Sequence, residues 1–302
     1  MVNNSVYGET SVYAFFKSFF APPLRPAFLK GVPSILYNFF YRQHLAAFLP
    51  GRIPVTKVDH PLDKKIPFVP SWVTIYIDFT HFWIRMLSFL LRRYRRRSYP
   101  YASDFIKSMG DLYSFAGQVY TRNLSTTKRP FYIARPRFFV IHLLDPHLMC
   151  VPSLHVMVVI HTWKMFSVIV NKLGEGEILK EQILEVKQGA LAISQAILFV
   201  KQHSVNCIPA ALYAMTSFDP VNFPPEEAEA FTNLLFSPAP KPNEALRDCR
   251  IHPSAAPSTK LPEADKVEIK THILSLYRRF LAEGKTANNW YDPLLKFLKE
   301  RD

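Results

Sequence analysis

Five side chains suited to handling a phosphate group occur in order along this sequence: Lys128, Arg135, Ser153, His155 and His203. Cationic side chains hold phosphate oxygens, and an arginine can do so through two parallel hydrogen bonds. A nucleophile and a proton donor must lie on opposite sides of phosphorus, and two histidines can fill both roles near neutral pH. The set therefore predicts phosphoryl transfer, with His155 and His203 as the catalytic pair.

The tetrapeptide Pro152-Ser153-Leu154-His155 stands at the predicted start of an apolar helix. Backbone N–H groups and hydroxyls at a helix N-terminus can bind phosphate oxygens, so the Ser153 hydroxyl and the Leu154 amide are candidate ligands. Structural alternatives exist for each residue. Ser153 would serve equally well as a helix N-cap, loop cations are often only solvated, and a histidine on an apolar helix is often a hydrogen-bonded core residue.

These residues resemble, in their order, the three signature motifs of the type 2 phosphatidic acid phosphatase superfamily. That superfamily also includes soluble bacterial acid phosphatases, vanadium haloperoxidases and sphingolipid synthases. The resemblance covers roughly residues 67–216. The matching positions are Lys128, Arg135 and Pro136 in the first motif, Pro152, Ser153 and His155 in the second, and His203 in the third.

Leu154 stands where many members of that superfamily have glycine, and it is similar to the branch with Pro-Ser-Leu-His, which includes lipid phosphate phosphatases and inositol phosphorylceramide synthases. Asp145 and the triplet Lys201-Gln202-His203 are similar to the same branch. The resemblance implies a reaction without a metal or other cofactor, in which His203 forms a phosphohistidine and His155 protonates the leaving group. The implied phosphate-binding residues are Lys128, Arg135, Ser153 and Leu154.

The third motif departs from the family pattern. Where the family has Ser, Arg, His and Asp, this sequence has Ala196, Ile197, His203 and Cys207. The missing arginine removes a phosphate ligand, which Lys201 could partly replace. The missing carboxylate would normally orient the histidine, and losing such a group costs about 10⁴ in rate in serine proteases. Asn206 lies about 100° away around a helix and could replace it only with altered geometry. Activity is therefore expected to be reduced or lost.

Three functions remain open on this basis. The first is a phosphatase or phosphotransferase that acts on a phosphorylated lipid. The second is a catalytically impaired relative that binds phospholipid or scaffolds a membrane complex. The third is a head-group transferase similar to sphingolipid synthases, which would use an alcohol instead of water as acceptor.

The charge pattern narrows the choice of partner. The net charge is +13, with five arginines between positions 92 and 97 and a second basic group between 122 and 137. Basic clusters bind nucleic acid, anionic lipid or a phosphorylated substrate. Without zinc-finger spacing or an RNA-recognition signature, we expect no nucleic-acid partner. His142, His147 and His161 lack the spacing of metal ligands, so no metal is expected.

The composition, with 25 Phe, 14 Tyr and only 9 Gly, favours packed helices over a β-sandwich and predicts an all-α bundle. We expect an aromatic, proline-rich helical segment (1–66), a bundle that holds the site (67–217), and a soluble linker with a helical tail of unknown partner (218–302). Apolar periodicity predicts helices at 103–120, 153–171, 188–202, 204–216, 262–283 and 287–300.

A membrane location is expected from residues 67–91, an apolar stretch longer than the roughly 20 residues that a bilayer requires. Asp78, His81 and Arg85 share one face of this segment, either as a local charge pair or as part of a polar interior. If the arginines that follow stay cytoplasmic, His155 and His203 both reach the extracytoplasmic face. The helices at 103–120 and 188–202 are short for spans, so a soluble or monotopic bundle is the alternative.

Overall fold

The computed structural model describes residues 5–237 and 260–301, and it is mostly helical, which confirms the all-α prediction. Short 3₁₀ or π turns at Leu36–Tyr41, Pro61–Lys64, Pro70–Trp72 and Arg95–Ser98 join some of the helices. The α-helices are α1 (Ser11–Phe20), α2 (Arg25–Ile35), α3 (Arg42–Phe48), α4 (Val73–Ile77), α5 (Phe79–Tyr94), α6 (Tyr99–Tyr120), α7 (Pro136–Leu144), α8 (Leu154–Lys172), α9 (Lys180–Phe199), α10 (Cys207–Phe218), α11 (Pro225–Leu234), α12 (Glu263–Gly284) and α13 (Asp292–Lys299).

Helix α8 lies at the centre and packs against α5, α6, α9 and α10. In the part of the chain described here, it alone is long and apolar enough to cross a membrane, and 72% of its apolar window is buried inside the protein. This burial is typical of a core helix, because neighbouring helices cover most of the apolar side chains of α8.

The expected span at 67–91 was wrong, because this segment is broken. A 3₁₀ turn at Pro70–Trp72 and the short α4 precede a break at Asp78, and α5 then runs for only 16 residues. A helix of that length is about 24 Å long, short of the roughly 30 Å hydrocarbon core. Arg85 and Asp78 form a buried ion pair, which is the local charge pair considered above.

Two short strands anchor the loop that leads into α8. Strand β1 (Val55–Lys57) pairs in parallel with β2 (Leu124–Thr126), with Val55 opposite Leu124. The middle residue of β2, Ser125, accepts a bond from the Cys150 amide at 3.2 Å, and its hydroxyl accepts one from the Val151 amide at 2.7 Å. These bonds fix the position at which α8 begins.

Several of the inner contacts of the N-terminal helices are made by small residues. In α1, Ala14 and Ser18 face the protein, and the Ala14 amide donates to the Ser88 hydroxyl of α5 at 3.1 Å. Helix α2 approaches α6 so closely that a Cβ on Gly31 would lie 2.6 Å from the Ile106 carbonyl oxygen. Gly110 of α6 faces Gly31 in turn, so the two backbones touch. Small residues therefore make the closest contacts between the N-terminal helices and the bundle.

The C-terminal helices pack onto the bundle. The predicted helices at 262–283 and 287–300 correspond to α12 and α13, whereas α11 lies in a stretch expected to be a linker. Helix α12 buries Ile269, Ile273, Tyr277 and Phe280 and contacts α10, where the Tyr277 and Thr216 hydroxyls are 2.8 Å apart. Most of the stretch at 243–262, expected to be loosely ordered, lies outside the described residues.

Candidate functional site

The two histidines singled out in the sequence meet inside the bundle. His155 is in the first turn of α8, and His203 is in the turn that joins α9 to α10. The Nε2 atom of His203 lies 3.2 Å from Nδ1 of His155, and the ring planes are inclined at 71°. Both side chains are buried, with at most 7% exposed. Two residues 48 positions apart thus form one hydrogen-bonded pair.

A tight turn after α9 positions His203. The amides of Gln202 and His203 both donate to the Ile197 carbonyl, at 3.0 and 3.1 Å. Lys201 adopts a left-handed backbone conformation with φ of 55°, which is uncommon for a non-glycine residue. Its ammonium group donates to the carbonyl oxygens of Asp63 and Ile66. The Lys201 ammonium group, which was expected to help to bind phosphate, is therefore already hydrogen-bonded to two backbone oxygens.

Aromatic side chains enclose His155. Tyr76 stacks on its ring with centroids 4.7 Å apart, and Phe79 lies at 4.1 Å. Burial, followed by the electrostatic effect of the neighbouring His203, lowers the pKa of His155 to about 3. The imidazole is therefore neutral at neutral pH, and it cannot donate a proton to a leaving group unless a bound anion raises its pKa.

A third histidine, His147, stands beside the pair, although the sequence indicated only a structural role for it. Its ring centroid is 6.2 Å from that of His203, and its Nε2 lies 2.9 Å from the Thr127 hydroxyl. Burial alone would lower its pKa, but Cys150 and the Asp145 carboxylate outweigh burial and raise it to about 10. The motif Asp145-Pro-His147 is the signal that could have identified it, since a carboxylate two residues away can hold the imidazolium.

The carboxylate that would orient His203 is missing. Its Nδ1 atom is buried and has no hydrogen-bond partner among the described residues. Cys207 stands at the position where the family pattern has aspartate. It is buried, and its thiol interacts with that of Cys150. The Asn206 side chain donates to the Val58 carbonyl at 2.9 Å, and its oxygen lies 2.8 Å from His272 Nε2. Asn206 thus cannot replace the carboxylate in this arrangement.

The candidate phosphate ligands occupy different places. Lys128 is exposed, and its backbone N–H donates to Asp59 at 2.8 Å. Arg135 is exposed and precedes α7. In residues 5–237 and 260–301, no hydrogen bond or ion pair joins either side chain to the histidines. Ser153 immediately precedes α8, and its buried hydroxyl likewise has no hydrogen-bond partner there. Leu154 is buried as the first residue of α8.

Arg129 belongs to the basic group between positions 122 and 137, and its side chain contacts residues near the histidine pair. It donates to the Gln202 side chain at 3.2 Å and to the Asp145 carbonyl at 3.1 Å. These contacts attach the loop to the residues next to His203 and His147. Sequence spacing pointed to Lys128 and missed this neighbour.

Within the described residues, no group of three or more His, Cys, Asp or Glu side chains is arranged to hold a metal ion. No known family model, curated protein or solved structure shows significant similarity to this chain. The function is therefore inferred from the geometry of the site and from its motifs.

Acid is expected to remove the stability that two buried, neutral histidines, His155 and His161, contribute. Burial lowers the pKa of His155 to about 3 and that of His161, bonded to Ser108, to about 4. A folded-state pKa below the unfolded value of about 6.5 stabilises the fold above pH 6.5, and this contribution is lost as pH falls toward the folded pKa. Each histidine should cost about 2 kcal/mol of unfolding free energy between pH 7 and pH 5.

Urea denaturation at the two pH values measures this loss. A His161→Gln variant should lose about 2 kcal/mol less than the wild type between pH 7 and pH 5, whereas His44→Gln, in α3, should lose as much as the wild type. The same change in unfolding free energy between pH 7 and pH 5 in His161→Gln and in the wild type would contradict the prediction.

Proposed function

We propose that this protein is a phosphatase or phosphotransferase that acts on a phosphorylated lipid through a phosphohistidine at His203. The observation that supports the proposal most strongly is the buried contact between His155, at the start of α8, and His203, in the turn after α9, which lie 48 positions apart. The start of α8 lies beside the pair, and its free Ser153 hydroxyl and Leu154 amide are donors suited to phosphate oxygens.

The reaction requires the pair to open. Reacting atoms lie about 3–3.5 Å apart before attack, so phosphorus between two ring nitrogens needs them about 6 Å or more apart. The present 3.2 Å separation leaves no such space, so substrate must move the rings apart. His203 then attacks phosphorus, and the leaving alkoxide takes its proton from His155. The negative phosphate beside His155 would raise the pKa of its ring and permit this donation.

Positive charge beside the pair would stabilise the substrate. His147 is held as an imidazolium by Asp145 and Cys150, and Arg129 lies on the same side of the site. These two cations could compensate for Ile197, which stands where the family has a phosphate-binding arginine. Lys128 and Arg135 would act only after the exposed loop had closed over bound phosphate.

A second function is favoured by the unpartnered Nδ1 atom of His203 and by the thiol at Cys207. Without an orienting carboxylate, turnover would be slow. The protein would then be an impaired relative that binds a phosphorylated lipid or supports a membrane complex.

Product analysis tests the proposal. Purified protein is incubated with phosphatidic acid in detergent micelles, with and without a long-chain alcohol, and acid-labile phosphate on the protein is measured. Release of inorganic phosphate supports a phosphatase, and transfer to the alcohol supports a transferase. Saturable binding without product supports the impaired relative. Absence of binding, labelled protein and product would refute all three.

A further inference from the structure

The N-terminal helices expose large apolar side chains. We use the name aromatic face for this surface, which is defined by Phe16, Phe20, Leu29, Tyr37, Tyr41 and Phe48. Between 51% and 80% of each of these residues is exposed to solvent. Soluble monomers rarely expose apolar patches of this extent, and such patches usually mark an interaction site.

The aromatic face is continuous. In α1, Phe16 and Phe20 are one turn apart, and their rings stack with centroids 6.2 Å apart. The ring of Phe28 in α2 lies 5.0 Å from Phe15 and 5.7 Å from Phe19, so the outer sides of α1 and α2 meet. From α2 the chain runs through the π turn into α3 without a break, so its exposed residues follow one helical surface.

Small residues make several of the contacts behind the aromatic face. Ala14, Ser18 and Gly31 fill the inner contacts, and the Gly31 and Gly110 backbones already touch. Small residues that allow close backbone contact, with large apolar residues facing outward, are typical of helices in contact with lipid. The described residues leave these rings uncovered, so a surface that covers them would come from outside that part of the chain.

The charge of the N-terminal segment indicates which kind of partner the aromatic face binds. Between Glu9 and Asp59 the sequence contains no acidic residue but six lysines or arginines. Arg25, Lys30 and Arg52 are exposed, and the Arg42 guanidinium lies 5.1 Å from the Tyr37 ring. Exposed aromatic rings interspersed with cations are the combination that binds the interface of an anionic bilayer.

A groove opens on the same surface. It has a volume of about 660 Å³, and its lining includes Tyr37, Tyr41, Leu45, Arg42 and Arg52. Tyr120, on its inner side, donates a hydrogen bond to the Pro152 carbonyl, next to the start of α8. A bilayer under the aromatic face would thus meet both an apolar groove and the two arginines at its rim.

We propose that the aromatic face rests in the headgroup region of an anionic bilayer, so that the protein lies on one leaflet through α1, α2 and α3. This inference adds a surface and a binding mode to the membrane partner proposed above. Binding through this face does not involve the histidine pair, so the two proposals can fail separately.

Sedimentation of the full chain with vesicles tests the inference. The vesicles contain either phosphatidylcholine alone or an equal mixture of phosphatidylcholine and phosphatidylserine. A Phe16→Gln/Phe20→Gln variant should bind the mixed vesicles at least about tenfold more weakly than the wild type. Lys30→Gln/Arg52→Gln should weaken binding to mixed vesicles by about 25-fold, since each cation contributes about fivefold, with little effect on phosphatidylcholine alone.

The matched control is Val221→Gln/Val267→Gln, which replaces two exposed apolar residues near the C-terminal helices and should bind like the wild type. Unchanged melting temperatures would establish that all variants fold. The inference is refuted if the wild type does not bind mixed vesicles, or if the phenylalanine variant binds as well as the control. It is also refuted if that variant only converts a dimer into a monomer, because the face would then join two copies of the chain.

Discussion

A His203→Ala variant is expected to release phosphate from phosphatidic acid at least about 10⁴-fold more slowly than the wild type, because removing a nucleophile eliminates the covalent route. The same variant should also fail to accumulate acid-labile phosphate. Steady-state phosphate release and labelling of the quenched protein measure the two effects. Vesicle binding should be unchanged, because His203 is buried away from solvent.

His142→Ala is the matched control, since His142 lies in α7 and has no hydrogen bond to the pair. It should retain wild-type turnover. A His155→Asn variant separates the roles, since a general acid matters most for a poor leaving group. It should slow alkyl phosphates far more than para-nitrophenyl phosphate. Wild-type turnover in His203→Ala would disprove the nucleophile assignment.

Cys207→Asp is expected to increase turnover by about 10² to 10⁴, the range expected when an orienting carboxylate is returned to a catalytic histidine. In the present structure, the Nδ1 atom of His203 has no partner among the described residues, and Cys207 opens α10 four positions later. A carboxylate there could accept the Nδ1 proton and stabilise the imidazolium. The turnover number, measured with phosphatidic acid in micelles, reports the effect.

Cys207→Asn provides the control for this gain, because asparagine has nearly the same shape but no charge. It should increase turnover much less than aspartate. Thermal melting must accompany both assays, since a buried carboxylate without a partner would lower stability. A folded Cys207→Asp protein with no more activity than Cys207→Asn would exclude a missing carboxylate as the cause of slow turnover.

The sequence predicted the elements whose patterns are local. Apolar periodicity located the helices that became α6, α8, α9 and α10, and motif order predicted that His155 and His203 would meet. The prediction of a membrane span at 67–91 was wrong, because mean hydropathy does not reveal that the helix breaks at Asp78. The surroundings of His147 could not be predicted, since Thr127 and Cys150 meet its ring only through the contacts of β2 and the adjoining loop.

The packing of α12 has a consequence for proteins that bind the C-terminal helices. Its apolar side is already occupied by α10, so the outer side presents ion pairs, including Arg278 with Glu229 and Arg279 with Glu300. A partner would have to compete with these pairs or extend them. Its affinity should therefore decrease as ionic strength rises, unlike that of a partner held by apolar contacts.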